Sequence, residues 1–337
     1  MKIEKTIAKI PGGNIIVPLL AGTLLNTLWP TAHEYFGGVT GAYLTGSSAV
    51  LFCFFFCVGA SVNLNASGGY IAKKGLLLSG GRLLIALALG LILGAILPAE
   101  GIQSGLLTGV STLAVVTAFS QTNGGLYVSI IPEGREYDLA AFPMIAIQSG
   151  PFFTMLILGL TGASFPFGSI ISTLLPFALG LIGGTLDSDV RDKYAPGVGI
   201  LIPFFIFALG YTLNFKTIFQ AGLSGVLIGV AVVLVTGGLL SFLDIKWLGS
   251  DGVAGWAQSS TAGAAVAVPA VIAGISEQFQ PVAESATAIV ATSVIVTAIL
   301  TPLVTSWVRK QAEKKNLPEA PSEVLKEVKN KYKWPRP

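Results

Sequence analysis

The chain has 337 residues, 53% hydrophobic and 11% charged, with a mean hydropathy of +0.76. Soluble domains carry about 25% charged residues, so a soluble or disordered protein is excluded and a polytopic membrane protein is indicated. The net charge of +3 carries information only through where the charges lie. The two cysteines, Cys53 and Cys57, sit four apart in one apolar run and supply neither a disulfide framework nor a four-ligand metal site.

A span needs about 20 mostly apolar residues, and ten such stretches are predicted. The first is Asn14 to Trp29, the second Tyr43 to Val62 and the third Gly75 to Leu97. The fourth, Ile102 to Ile131, is interrupted, and the fifth is Leu139 to Leu160. The sixth to tenth are Phe167 to Leu186, Gly197 to Leu213, Thr217 to Leu243, Gly252 to Ile275 and Ser285 to Val308. The basic start of the chain leads into a full span rather than a cleavage site, so no cleavable signal peptide is expected. After Lys310 the composition turns charged and proline-containing, and residues 311–337 are expected to form a disordered cytoplasmic tail with a short helix over Ser322 to Lys331.

Orientation follows from Lys and Arg near the span ends. Lys2, Lys5, Lys9, Lys73, Lys74, Arg135, Arg191, Lys193, Lys246, Arg309 and Lys310 all fall on one side of a ten-span topology, and only Lys216 falls on the other. Both termini are therefore expected to be cytoplasmic.

The chain also repeats. Phe54 to Asn63 aligns with Phe205 to Asn214 at an offset of 151, Ser111-Thr112 aligns with Ser260-Thr261, and Pro151 aligns with Pro302. Five spans per unit is odd, so the second unit must be inverted, giving one repeat over residues 1–163 and another over 164–310. Asn63 and Asn214 end their helices symmetrically, as C-caps do.

Two polar interruptions occupy corresponding positions in the halves, Ser120-Gln121-Thr122-Asn123-Gly124-Gly125 in the fourth span and Gln258-Ser259-Ser260-Thr261-Ala262-Gly263 in the ninth. Unwound backbone survives in hydrocarbon only inside protein or beside a wet cavity, and paired breaks of this kind are the sequence mark of a transporter binding site. Gln121, Thr122, Asn123, Gly124, Gly125, Ser259, Ser260, Thr261 and Gly263 are the substrate-binding candidates. Their hydroxyls and amides suit a polyol, and free N–H groups at half-helix ends suit a carboxylate. Ser120, Gln148, Ser149 and Arg82 are candidates for coupling or for supporting the site. Gln148 and Ser149 precede Gly150-Pro151 and either serve the site or satisfy carbonyls freed by the proline. Arg82 lies about two turns inside the third span, where it is either functional or snorkels to the interface.

With these residues in view, the chain resembles the bacterial 2-keto-3-deoxygluconate permease family from about Met1 to Lys310. The likeness rests on Ile10-Pro11-Gly12-Gly13, Phe56-Cys57-Val58-Gly59-Ala60, Thr122-Asn123-Gly124-Gly125-Leu126-Tyr127, Ser149-Gly150-Pro151, Ile202-Pro203-Phe204-Phe205 and Ser259 to Ala267. It implies import of a small anionic sugar acid by proton symport across the bacterial inner membrane, without a cofactor. It also implies an architecture like that of the bile acid/sodium symporters, an all-α integral membrane protein with core and panel domains and broken, crossing fourth and ninth helices. One departure bears on coupling: the resemblance implies an acid at Gln148, and in some relatives at Ser120, and an amide cannot exchange a proton. Sodium-coupled transport of another organic anion on the same fold is the alternative. An enzyme is disfavoured because the membrane region has no His/Asp/Glu cluster for acid–base or metal work, and a channel because no span carries a ring-forming charged motif.

Overall fold

The computed structural model describes residues 7, 13–45, 48–61, 69–131, 135, 138, 141–146, 148, 150–165, 167–211 and 215–321. Lys2, Lys5, Lys9, Asn63, Ser149, Asn214 and the expected helix over Ser322 to Lys331 lie outside them. The described chain is helical almost throughout. In order it forms α1 (Gly13–Leu28), α2 (Ala32–Phe36), α3 (Gly38–Thr45), α4 (Ser48–Ser61), α5 (Gly69–Ile96), α6 (Thr112–Ser120), α7 (Gly124–Ile130), α8 (Phe142–Ala146) and α9 (Pro151–Leu160). There follow α10 (Phe167–Leu186), α11 (Ser188–Tyr194), α12 (Gly197–Tyr211), α13 (Phe215–Ala231), α14 (Gly237–Leu248), α15 (Val253–Ala257), α16 (Val268–Ile275) and α17 (Ala283–Lys314). A π-turn, Val232–Thr236, joins α13 to α14, and a 3-10 turn, Gly263–Ala267, leads into α16.

Among the described residues, four helical stretches are long and apolar enough to cross a membrane: Ala72–Ile96, Ser188–Tyr211, Gly222–Leu248 and Glu277–Lys314. A fifth is gained if Gly38–Thr45 and Ala49–Ser61, inclined at 63°, make one span. Large apolar side chains face outward along these helices, including Leu84, Leu91, Ile200, Leu227 and Leu303. Contiguous exposed apolar surface on this scale belongs against lipid, not water, and the chain is a multi-pass membrane protein.

Several segments are shorter than hydropathy suggests. The fourth stretch is not helical from Ile102: Gly101, Gly105 and Gly109 all have positive φ, and Ile102 and Val110 pair across the resulting loop, with Ile102 N donating to Val110 O at 2.9 Å. The helix begins only at Thr112, where the Ser111 hydroxyl caps Ala114 N. Ser111 thus marks a helix start, whereas Ser260 lies inside a break. The equivalence expected between Ser111-Thr112 and Ser260-Thr261 does not hold, because the first pair starts a helix and the second lies where a helix has stopped. The expected fifth span is divided too, with Pro151 at the start of α9 and Gly150 before it at φ 126°. At the C-terminus α17 runs on to Lys314, past the expected start of the tail at Gln311.

The helices sort into two groups. In one, α1 packs along α12, and α4 along α10 and α12. In the other, α5 lies against α6, α9 and α14, while α17 packs along α13 and against α15. Close approach in the first group depends on glycine. A Cβ on Gly59 would sit 2.1 Å from Phe177 O, and one on Gly210 would sit 2.2 Å from Leu19 O. These two glycines are 151 residues apart and occupy matching places in the sequence repeat. Phe54 and Phe205, at the same offset, meet with ring centroids 4.7 Å apart. One apolar cluster joins the groups, running from Phe54 and Phe205 to the buried faces of α6, the 3-10 turn and α17.

Candidate functional site

The site is built where helices stop. α6 ends at Ser120 because the next residues, Gln-Thr-Asn-Gly-Gly, combine poor helix formers with side chains that compete for backbone hydrogen bonds. Asn123 restarts the chain as the N-cap of α7, its Oδ1 accepting from Leu126 N at 3.0 Å. α15 likewise ends at Ala257, and the chain is non-helical from Ser259 to Ala262 before the 3-10 turn.

The two breaks meet. Thr122 and Thr261 form an antiparallel bridge, Ala262 N donates to Gln121 O at 3.3 Å, and Thr261 Oγ1 donates to Ala118 O at 3.0 Å. The third interruption supplies Gln148, which is 1% exposed. Its Oε1 accepts from Thr122 Oγ1 at 2.8 Å and from Gln258 Nε2 at 3.0 Å, and its Nε2 donates to Ser79 O on α5 at 2.8 Å. Gln148 therefore ties the breaks to a neighbouring helix. Thr154 shares hydrogen bonds with Ser120, at 2.8 Å, and with Gln121, at 3.1 Å. Thr297 Oγ1 receives Thr261 N at 3.0 Å.

Arg82 is fully buried at this crossing, so it does not snorkel. Its Nε donates to Phe119 O at 2.7 Å, and its Nη2 to Gln121 O at 2.8 Å and Ala118 O at 3.3 Å. Nη1 donates to Gln258 O. The guanidinium thus satisfies carbonyls that the ends of α6 and α15 leave without helical partners, an obligation the apolar surroundings impose. Two polar atoms at the crossing, Gln258 Oε1 and Ser260 Oγ, are buried without a hydrogen-bond partner among the described residues.

Beside the crossing, between the two helix groups, is a cavity of ≈ 190 Å³. Phe54, Val58 and Ile202 form its apolar wall, and Asn123, Gly124, Ala262 and Gly263 its opposite side. The volume is below the roughly 300–1,000 Å³ of drug-sized sites and suits one small solute. Of the residues singled out from sequence, Asn123, Gly124 and Gly263 line this space. Ser120, Gln121, Thr122, Ser259, Ser260, Thr261, Gln148 and Arg82 are buried around the crossing. Gly125 opens α7 beside its neighbour.

A second polar centre escaped the sequence reasoning. At one end of the group built on α5 and α17, the buried Lys74 ammonium pairs with Asp138 and, at 3.4 Å, with Asp244. Arg135 grips Asp251 through two 2.8 Å bonds and reaches Asp138 with Nε at 2.7 Å. Asp251 caps α15 by accepting from Val253 N, and the Tyr127 hydroxyl on α7 donates to Asp138 O at 2.8 Å. Asp138 N donates to Glu319 Oε1 at 2.9 Å, which anchors the segment after α17. Burial, and then the Asp138 charge, push the Glu319 carboxyl up to about 7. The one available signal was charge at span ends, Lys74 beside the third and Asp244 beside the eighth, which positive-inside counting uses only for orientation.

Comparison with known proteins agrees on one family. Residues 4–314 match the model of the 2-keto-3-deoxygluconate permease family. A protein of Bacillus subtilis named 2-keto-3-deoxygluconate permease is 51% identical over 317 residues, covering 94% of this chain and 96% of the relative. Proteins of the same name from Enterobacter sp. and Escherichia coli K12 are 46% and 45% identical, covering 95% and 92% of this chain and 96% and 95% of theirs.

Proposed function

The chain belongs to the 2-keto-3-deoxygluconate permease family, whose name denotes a transporter and not an enzyme, and on that footing we propose that it imports 2-keto-3-deoxygluconate by proton symport with alternating access. The observation that carries the site is the bridge between Thr122 and Thr261 beside a solute-sized cavity. Paired, mutually bonded breaks expose backbone groups that continuous helices would consume, the arrangement in which transporters with broken helices bind solutes.

On this reading the Asn123 amide pairs substrate hydroxyls, and the backbone amides opening at Gly124 and Gly263 favour the carboxylate. Gln121, Thr122, Gln148, Ser259, Ser260 and Thr261 hold the two strands of the crossing in register. The ten spans form two inverted repeats, with α1, α4, α10 and α12 as the panel and the other group as the core. The matching positions of Gly59 and Gly210, and the Phe54–Phe205 contact, support that pairing of halves. Both termini are cytoplasmic in the bacterial inner membrane, as the lysine and arginine distribution favours.

Uptake into proteoliposomes under an imposed pH gradient tests this. The expected result is saturable accumulation of 2-keto-3-deoxygluconate, with binding weakened in Asn123→Ala and Thr261→Ala. Undiminished binding in both variants would remove the site, and accumulation driven only by a sodium gradient would replace the proton.

A further inference from the structure

Arg82 is a buried cation with no counter-charge paired to it among the described residues. All four of its hydrogen-bond acceptors are main-chain carbonyls: Ala118, Phe119 and Gln121 from the first break and Gln258 from the second. A charge removed from water is costly unless its partners are good. Here they are carbonyl dipoles at the C-terminal ends of two half-helices, where the aligned peptide dipoles leave partial negative charge. Unwound carbonyls and half-helix C-termini are the groups with which transporters with broken helices hold coupling cations. At this crossing a covalently attached cation already occupies them. A guanidinium does not lose its proton in proteins, so this position neither loads nor releases an ion.

We propose that Arg82 is a resident cation, a positioning residue that fills the ion position between the two breaks and lets substrate bind without any metal ion. The idea rests on the transport reading of the same crossing, but part of its test does not need the substrate. Arg82→Ala removes the charge and opens a guanidinium-sized space lined by four carbonyls; Arg82→Lys keeps a charge with a different shape, and Arg82→Gln keeps bulk without charge.

The full-length protein in detergent, without substrate, is heated with millimolar guanidinium, sodium or choline at constant ionic strength. Guanidinium or sodium is expected to raise the melting temperature of Arg82→Ala above its value in choline, with no such difference in the wild type. In binding assays wild-type affinity for 2-keto-3-deoxygluconate stays the same in sodium and choline. Arg82→Ala loses about tenfold or more, as expected when charge-assisted bonds are removed, and guanidinium restores part of it. If Arg82→Ala does not fold, Arg82→Lys should bind better than Arg82→Gln. A wild type that needs sodium, an Arg82→Ala protein indifferent to every cation, or equal behaviour of the Lys and Gln variants overturns the proposal. A wild type that fails to bind the sugar acid while Arg82→Ala still responds to guanidinium would instead fault the transport reading alone.

Discussion

Thr122 Oγ1 donates to Gln148 Oε1 at 2.8 Å, and this contact joins two interruptions that are separate in the chain. Gln258 Nε2, from the break after α15, reaches the same oxygen at 3.0 Å. One amide therefore holds three broken segments, with its own N–H group spent on Ser79 O.

That geometry makes Gln148→Glu a pH-sensitive variant. A neutral glutamic acid can still accept from Thr122 and Gln258 and donate to Ser79 O; the ionised form cannot donate and buries a charge. The ionised form is therefore the one the folded site disfavours, so stability is retained at low pH and lost as pH rises and the side chain ionises. Melting curves of variant and wild type across pH should diverge on the alkaline side. Parallel curves would mean that the side chain is wetter than its 1% exposure indicates.

Asn123→Ala separates capping from binding. Loss of the Oδ1 bond to Leu126 N should cost about 0.5–2 kcal/mol of stability. Asn123→Ser retains a capping hydroxyl but offers the cavity one short group in place of an amide. The serine variant is expected to recover melting temperature without recovering sugar-acid affinity; recovery of both would confine Asn123 to a structural role.

Glu319 should make docking of residues 317–321 pH-dependent. Its carboxyl is raised to about 7, chiefly by burial and then by the Asp138 charge, opposed by the hydrogen bond from Asp138 N and by Arg135 and Lys74. Because the folded-state value lies above the unfolded one, the stability this group contributes is present at acidic pH and falls away as pH rises toward and past about 7. Hydrogen exchange at Ala320 is expected to accelerate over that range in the wild type. Glu319→Gln, which keeps an acceptor for Asp138 N, should flatten the dependence.

Gly59→Ala and Gly210→Ala should destabilise to similar extents. Each methyl group would meet a carbonyl oxygen near 2 Å, at 2.1 Å for Gly59 and 2.2 Å for Gly210. Overpacking of this kind costs about 1–3 kcal/mol. Gly199→Ala, with no atom within 4 Å of its new methyl, serves as the control. Thermal stability in detergent that fell for only one of the pair would argue against equivalent packing in the two halves.

Much of this was legible in the chain itself. Hydropathy identified a membrane protein, because lipid contact demands apolar side chains residue by residue. The two polar interruptions also stood out, because unpaired backbone in an apolar run needs protein or water around it. Hydropathy did less well with lengths: window averages treat Ile102–Val110 as helix, although glycines at positive φ turn that stretch into a loop. The 151-residue offset coincided with close packing at Phe54, Gly59, Phe205 and Gly210 and misled at Ser111-Thr112, where a helix N-cap was matched to residues inside a break.

What the amino-acid order determined by itself, then, was which segments avoid water and where the helices fail, since both follow from local composition. Only the tertiary structure decided where the failures meet. It brought Thr122 to Thr261, turned Arg82 inward onto carbonyls from both halves, and gathered Lys74, Asp138, Asp244, Asp251 and Glu319 at one end. Those pairings join residues far apart in the chain through hydrogen bonds and charge, whose strength depends on distance and burial that no local pattern records.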